Sequence, residues 1–204
     1  MNFFQNTCKP NGIGGKIMVH MMNYGHSRLA EWGFSHLPQR NDLKILDAGC
    51  GGGANVGAWL EKSQGSCVTG LDYSEVSVAE ARKRNAAEIQ KGRCRIIQGN
   101  VADMPFEKEE FDCISAFETI YFWPDLKHCF SEVNRILRKN GIFMICNECD
   151  GTNAKDEKWT NMIDGMQIYT QKQITDFLKE TGFTIEKLDS DKKTHWLCIV
   201  ANKR

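Results

Sequence analysis

Two rhythms of apolar positions alternate along this chain. Short, nearly unbroken apolar runs occur at Lys44–Ala48, Cys67–Asp72, Arg95–Gln98, Phe111–Phe117 and Ile142–Cys146. Runs of this length predict strands covered on both faces. Between them, apolar residues recur every three or four positions. Ala54–Lys62 places Val56, Trp59 and Leu60 on one side, and Ser74–Ile89 predicts a long helix with Val76, Ala79 and Ala86 toward a sheet. Leu126, Phe130, Val133 and Leu137 mark an amphipathic helix, closed by the left-handed-tolerant turn Lys139-Asn140-Gly141. Strands alternating with helices predict an α/β, doubly wound, mostly parallel sheet with right-handed crossovers.

The last forty residues break the rhythm. Thr170-x-x-Gln173 is a capping box opening a helix through Glu180, and Gly182 stops it. Thr184–Asp189 and His195–Asn202 read as strands joined by Ser190–Thr194, a link too short for a crossover helix. That pair must be antiparallel. Two further segments stand outside the strand–helix pattern. Gly14–Leu37 carries Ile17, Met18, Met21, Met22, Leu29 and Trp32 at helical spacing, broken at Gly25. Gly151–Tyr169 carries Trp159, Met162, Ile163 and Met166 among polar residues. Each either roofs a site or packs on a sheet edge.

Composition narrows the function. The 204 residues fit one domain, and formal net charge is zero with a pI near 6.9. That balance gives no electrostatic case for nucleic acid or an anionic membrane. No apolar run approaches the ~20 residues that span a bilayer, and the start lacks a basic-then-apolar signal peptide pattern. Nine scattered cysteines argue against a disulfide framework and for a reducing, cytoplasmic location. Cys67, Cys94, Cys113, Cys146 and Cys198 read as small buried hydrophobes. Cys146-x-x-Cys149 lacks the partners of a zinc set, so no metal is expected.

Candidate chemistry sits at the carboxyl ends of the strands, where open parallel sheets bind ligands. Leu46-Asp47-Ala48-Gly49-Cys50-Gly51-Gly52-Gly53 ends an apolar run in an acid and then places glycine at every second position. Glycines let a ligand approach the backbone, and the following helix start offers unpaired N–H groups. Asp72 ends the second strand and can accept two ribose hydroxyls. Its alternative is to cap the next helix, but Ser74 can do that and leave Asp72 free. Asn100 can accept from an exocyclic adenine amine while Val101 N–H donates to a ring nitrogen, or it is an ordinary turn residue.

Taken in order, these motifs resemble the class I S-adenosylmethionine-dependent methyltransferases. The matching residues are the Leu46–Gly53 loop, Gly70-Leu71-Asp72-Tyr73-Ser74, Gly99–Phe106, Phe111–Ile114 and Leu137–Gly141. The resemblance covers about residues 42–147 plus the terminal hairpin. It implies a Rossmann-like sheet of seven strands, and a single methyltransferase domain over 1–204. Within it, 1–40 would be a helical lid, 42–147 the cofactor core, 148–170 an insertion or lid, and 171–204 the terminal helix and hairpin. It implies S-adenosylmethionine as cofactor and S-adenosylhomocysteine as product. Gly49 and Gly51 would pass the methionine part, Cys50, Gly53 and Asn55 would also belong to the cofactor site, and Asp47 would order the loop. Asp72 would hold the ribose, Asn100 and Val101 would meet the adenine, and Tyr73, Ser74 and Ala102 would also belong to the cofactor site. Asparagine at 100 departs from the family's usual aspartate. Phe117 and Glu118 would line the methyl-donor side.

Methyl transfer needs alignment of nucleophile, methyl and sulfur and exclusion of water, with a base only for a weakly acidic nucleophile. Candidate catalytic groups are Glu118, Tyr121 and His26. Tyr121, Phe122 and Trp123 either wall an apolar pocket or close the core. The segment Phe117-Glu118-Thr119-Ile120-Tyr121 is not the Asp/Asn-Pro-Pro-aromatic run of many amino-methylating enzymes, and no Pro-Cys occurs. A small-molecule oxygen, sulfur or carbon acceptor follows, with no nucleic-acid or membrane partner, in a monomer or homodimer. Two other readings compete. Gly49-x-Gly51-x-x-Ala54 with Asp72 also suits an NAD(P)-dependent oxidoreductase. A cofactor-binding regulatory domain without catalysis is the third.

Overall fold

The computed structural model describes residues 3–8, 10–25 and 27–204. Its sheet has seven strands in the order β3-β2-β1-β4-β5-β7-β6. These are β1 Lys44–Ala48, β2 Cys67–Asp72, β3 Cys94–Gln98, β4 Phe111–Phe117, β5 Leu137–Asn147, β6 Phe183–Ser190 and β7 Leu197–Lys203. β1 to β5 pair in parallel, and β7 runs antiparallel between β5 and β6. The sequence of connections reverses direction between β1 and β4, so the ligand crevice of such a sheet opens above their carboxyl ends.

Each strand supplies both faces because successive side chains alternate. Leu46, Leu71, Ile114 and Phe143 point into one core beneath α6 (Leu126–Ile136) and α8 (Gln171–Glu180). Ile45, Val68, Cys113 and Met144 point into the other, beneath α2 (Ser27–Phe34), α3 (Ala54–Lys62) and α4 (Glu75–Arg84). The expected faces of α3 and α6 are the buried ones, and Thr170 and Gln173 form the reciprocal cap that opens α8. The N-terminal apolar segment folds as α1 (Gly12–Gly25) followed by α2.

Four local expectations are corrected. The long helix expected over Ser74–Ile89 divides at Asn85 into α4 and α5 (Ala86–Gln90), and its inner face is Ser77, Val78 and Ala81, while Ala79 and Ala86 are exposed. The sequence misleads there because alanines and serines ring the helix and mark no side. α6 stops at Ile136, and β5 begins at Leu137. Leu137 pairs with Phe111 before a bulge in which Asn140 takes φ 61°. β7 begins at Leu197 because His195 sits in the turn at φ 61°. Cys67 is exposed at the start of β2, where the strand has not yet entered the core.

The break at Asn85 has a packing cause. Asn85 is buried and donates from Nδ2 to the carbonyls of Gly53 and Ala81, both at 3.0 Å. Gly53 has φ 76°, and a Cβ there would lie 2.6 Å from Asn85 Nδ2 and 2.9 Å from Ala81 Cβ. This glycine therefore serves the contact between the loop and α4. A Cβ on Gly51 would meet nothing within 4 Å. In urea unfolding without ligand, Gly53→Ala is expected to destabilise by about 2–4 kcal/mol and Gly51→Ala by only about 1–2 kcal/mol. Equal losses would contradict the separate roles.

Candidate cofactor and acceptor site

A cavity of about 840 Å³ opens at the carboxyl ends of β1, β2 and β4. Its floor is the glycine loop, which is fastened to the end of β2. Gly49 and Cys50 N–H both donate to Leu71 O, at 2.8 and 2.9 Å. Gly51 N–H donates to Asp72 Oδ2 at 2.9 Å, and Ser74 N–H donates to Asp72 Oδ1 at 2.9 Å. Ser74 Oγ does cap α4, accepting from Ser77 N–H at 3.3 Å. Asp72 is nonetheless not left free. It holds the loop and the helix start together, and each oxygen keeps a further lone pair. Burial raises its carboxyl above the ordinary range, while the two N–H bonds oppose the rise.

Gly49, Cys50, Gly51, Asn55, Asp72, Tyr73, Asn100 and Val101 border the cavity. Asn100 Oδ1 accepts Ala102 N–H at 3.0 Å, so the turn role is present and occupies part of that oxygen. Asp47, Gly53, Ser74 and Ala102 are not on the cavity wall. Asp47 lies behind the loop, 1% exposed. Its Oδ1 accepts from Ser115 Oγ at 2.8 Å, and Ser115 Oγ accepts from Trp59 Nε1 at 2.9 Å. Its Oδ2 has no hydrogen-bond partner among the described residues. Burial pushes the Asp47 carboxyl from 3.8 up to about 7, with Ser115 opposing and the charge of Asp72 adding.

Sequence reasoning missed Thr119. A Cβ at Gly49 would lie 2.0 Å from Thr119 Oγ1, so glycine at 49 admits this side chain and not only a ligand. Thr119 Oγ1 accepts from Trp123 Nε1 at 3.2 Å and borders the cavity. The contact spans seventy residues of chain, and no local pattern announces it.

Beyond the loop the walls become apolar. Phe117, Tyr121, Phe122 and Trp123 form one side, with Met18, Ala30 and Phe34 from the N-terminal helices. Trp159, from α7 (Glu157–Met162), and the following Ile163 and Met166 complete the chamber. Both segments outside the strand–helix pattern thus contribute walls. The aromatic residues after β4 serve both expected ends, since Trp123 also packs against Phe130 and Phe143 in the core.

Glu118 stands where the two halves meet. It takes φ 56°, a costly backbone for a residue with a Cβ, and its N–H donates to Cys146 O at 2.9 Å. Glu118 Oε1 accepts from Glu148 N–H and, at 3.3 Å, from the Tyr121 hydroxyl. The same hydroxyl accepts Cys149 N–H at 2.9 Å. Burial, and then the charge of Glu148, holds the Glu118 carboxyl well above its usual range. Burial likewise pushes the Tyr121 phenol up. Tyr121 therefore orients Glu118 and is a poor base itself. His26, the third catalytic candidate, lies outside the described residues. Cys146 and Cys149 are both buried, and among the described residues no cluster of His, Cys, Asp and Glu is arranged to hold a metal.

Residues 46–145 match a family model described as a methyltransferase domain. The chain belongs to the class I S-adenosylmethionine-dependent methyltransferases. It is 31% identical over 160 residues to squalene methyltransferase 1 of Botryococcus braunii, covering 74% of this chain and 42% of that protein. The chain thus spans less than half the length of this relative. By structure it resembles a putative methyltransferase solved in complex with the Haloferax volcanii Trm112 methyltransferase activator. The TM-score is 0.86, with 18% identity, 99% of this chain and 98% of that one. It also resembles geranyl diphosphate methyltransferase in complex with S-adenosylmethionine, with TM-score 0.77, 18% identity, and 96% and 93% covered.

S-adenosylmethionine is the cofactor of this methyltransferase family, and the residues here suit it. The open space over Gly51, the spare lone pairs of Asp72 and the unpartnered Asp47 oxygen behind the loop form a cradle for a cationic adenosyl compound. Asp47 also makes the site testable by pH. Its folded-state pKa is raised, so its contribution to stability is present below about pH 4 and lost as pH rises to about 7, a loss on the order of 4 kcal/mol. Asp47→Asn is expected to raise the ligand-free melting temperature at pH 8 but not at pH 4, while weakening cofactor affinity. Calorimetric melts at the two pH values check it, and an equal effect at both would contradict it.

Proposed function

We propose that this protein transfers a methyl group from S-adenosylmethionine to a small, apolar acceptor. The observation that carries this reading is the Asp72 carboxylate, which fixes Gly51 and borders a cavity that continues into an aromatic chamber. Asp72 would orient the ribose hydroxyls, and the bare Gly51 would admit the methionine part. Asn100 and Val101 would meet the adenine. Bound there, the cofactor supplies an electrophilic methyl on a sulfonium. The chamber walls exclude water and hold the acceptor for in-line approach. Glu118 would face the developing charge, and a carboxyl whose pKa burial raises is a stronger base, once ionised, than an ordinary one.

The acceptor's character follows from its walls. Phe34, Phe122, Trp123, Trp159, Ile163 and Met166 offer surface for an uncharged hydrocarbon body, not for a phosphate or a nucleic acid strand. The relatives named for squalene, cycloartenol and sterol methylation agree with that class. A carbon acceptor of isoprenoid type is the first to try, with oxygen and sulfur acceptors next. Zero net charge supports a small-molecule acceptor over nucleic acid, and nine free thiols support the reducing cytoplasm as location. Among the described residues no helix is long and apolar enough to cross a membrane.

Isothermal titration with S-adenosylhomocysteine and with NAD tests the cofactor assignment, and methyl-labelled cofactor with apolar lipid extract or transfer RNA tests the acceptor. The expected result is binding of S-adenosylhomocysteine alone, at least tenfold weaker in Asp72→Asn, and label in the lipid fraction. Binding unaltered by Asp72→Asn, or label confined to RNA, would overturn the reading.

A further inference from the structure

The N-terminal segment is tied down at two places, one in each half of the cavity. On the cofactor side, the Tyr73 hydroxyl donates to Cys8 O, and Ser74 Oγ donates to Pro10 O at 3.4 Å. Tyr73 and Ser74 directly follow Asp72. On the acceptor side, the Gln5 amide uses both of its arms on one residue. Nε2 donates to Asp164 O at 3.1 Å, and Oε1 accepts Asp164 N–H at 3.0 Å. Asp164 directly follows Ile163, and Met166 N–H donates to Ile163 O at 3.2 Å. Ile163 and Met166 are chamber walls, and Thr7, Cys8 and Pro10 border the cavity themselves.

The base of this strap is packed on α1, and its span is held by exposed hydrogen bonds. Asn6, 8% exposed, accepts Asn11 N–H at 3.0 Å, and a Cβ on Gly15 would lie 2.7 Å from the Pro10 carbonyl carbon, so the strap is seated on α1. The bond from Ser74 to Pro10 is buried and belongs to this base, whereas Tyr73 and Asp164 hold the span by hydrogen bonds next to solvent. Segments held this way open without disturbing the core.

We propose that the Phe3–Thr7 turn with Cys8 and Pro10 is a strap that opens for cofactor exchange and, when latched, transmits cofactor occupancy to the acceptor roof, with Gln5 as its positioning residue. This rests on the cofactor site proposed above. A ligand lying on Asp72 supports Tyr73 and Ser74 from beneath. That favours the latched strap, and the latched strap holds Asp164 and with it Ile163 and Met166. Coupling of this kind is reciprocal, so an acceptor in the chamber also tightens cofactor binding.

Hydrogen–deuterium exchange of the full chain with and without S-adenosylhomocysteine tests the strap directly. Added protection is expected at residues 3–11 and, although they do not touch the cofactor half, at 159–167. Stopped-flow dissociation of S-adenosylhomocysteine is expected to be at least fivefold faster in Tyr73→Phe and in Gln5→Ala. In Gln5→Ala, protection at 159–167 is lost while equilibrium cofactor contacts at Asp72 remain. If S-adenosylhomocysteine binds the wild type but neither exchange at 3–11 nor the release rates change, the strap is overturned and the cofactor site stands. If it does not bind the wild type at all, the cofactor site falls and the coupling falls with it.

Discussion

The carboxylate of Asp72 joins the end of β2, the glycine loop after β1 and the start of α4 through two backbone N–H bonds. Without it, the N–H of Gly51 would lose its partner at the mouth of a crevice, and the loop would be tied to the second strand only at its start, by Leu71 O. With it, the loop is held from both sides, because Leu71 O already takes the N–H groups of Gly49 and Cys50. The floor of the cavity is therefore preorganised by backbone bonds rather than by side-chain packing. Such a floor keeps its shape when a ligand displaces water from it.

A second constraint is electrostatic. Burial raises Asp47, Asp72 and Glu118, all at or just behind the same crevice. Their hydrogen-bond partners are hydroxyls and backbone N–H groups: Ser115 for Asp47, Gly51 and Ser74 for Asp72, Tyr121 and Glu148 for Glu118. Three acids gathered this way weaken the folded chain as they ionise, and a cationic ligand relieves the cost. A binding site at this edge of the sheet would trade stability for affinity in this way. The left-handed backbone at Glu118 adds to the same cost.

Much of the architecture was legible because strands buried on both faces leave unbroken apolar runs. β1, β2 and α3 have the bounds their patterns imply, and the short Ser190–Thr194 link forces the antiparallel pair β6 and β7. The inner face of α4 was not legible, since its contact with Gly53 depends on Asn85 and Ala81, small or polar residues without periodic signal. In the site, the residues at the strand ends were found because topology alone places them there. What each one touches was less accessible. The three glycines look equivalent in sequence, yet Gly49 admits Thr119, Gly51 faces open space and Gly53 admits Asn85. The grip of Gln5 on Asp164 joins opposite ends of the chain and leaves no trace in either segment.

On the proposed reading, one carboxylate serves the loop and the ligand together. A crystal structure with S-adenosylhomocysteine bound tests it most directly. Both ribose hydroxyls are expected within hydrogen-bond distance of Asp72, with the bond from Gly51 N–H to Asp72 Oδ2 intact and the homocysteine chain crossing Gly51. A ribose held elsewhere, or a loop that lets go of Asp72 when the ligand arrives, would contradict it.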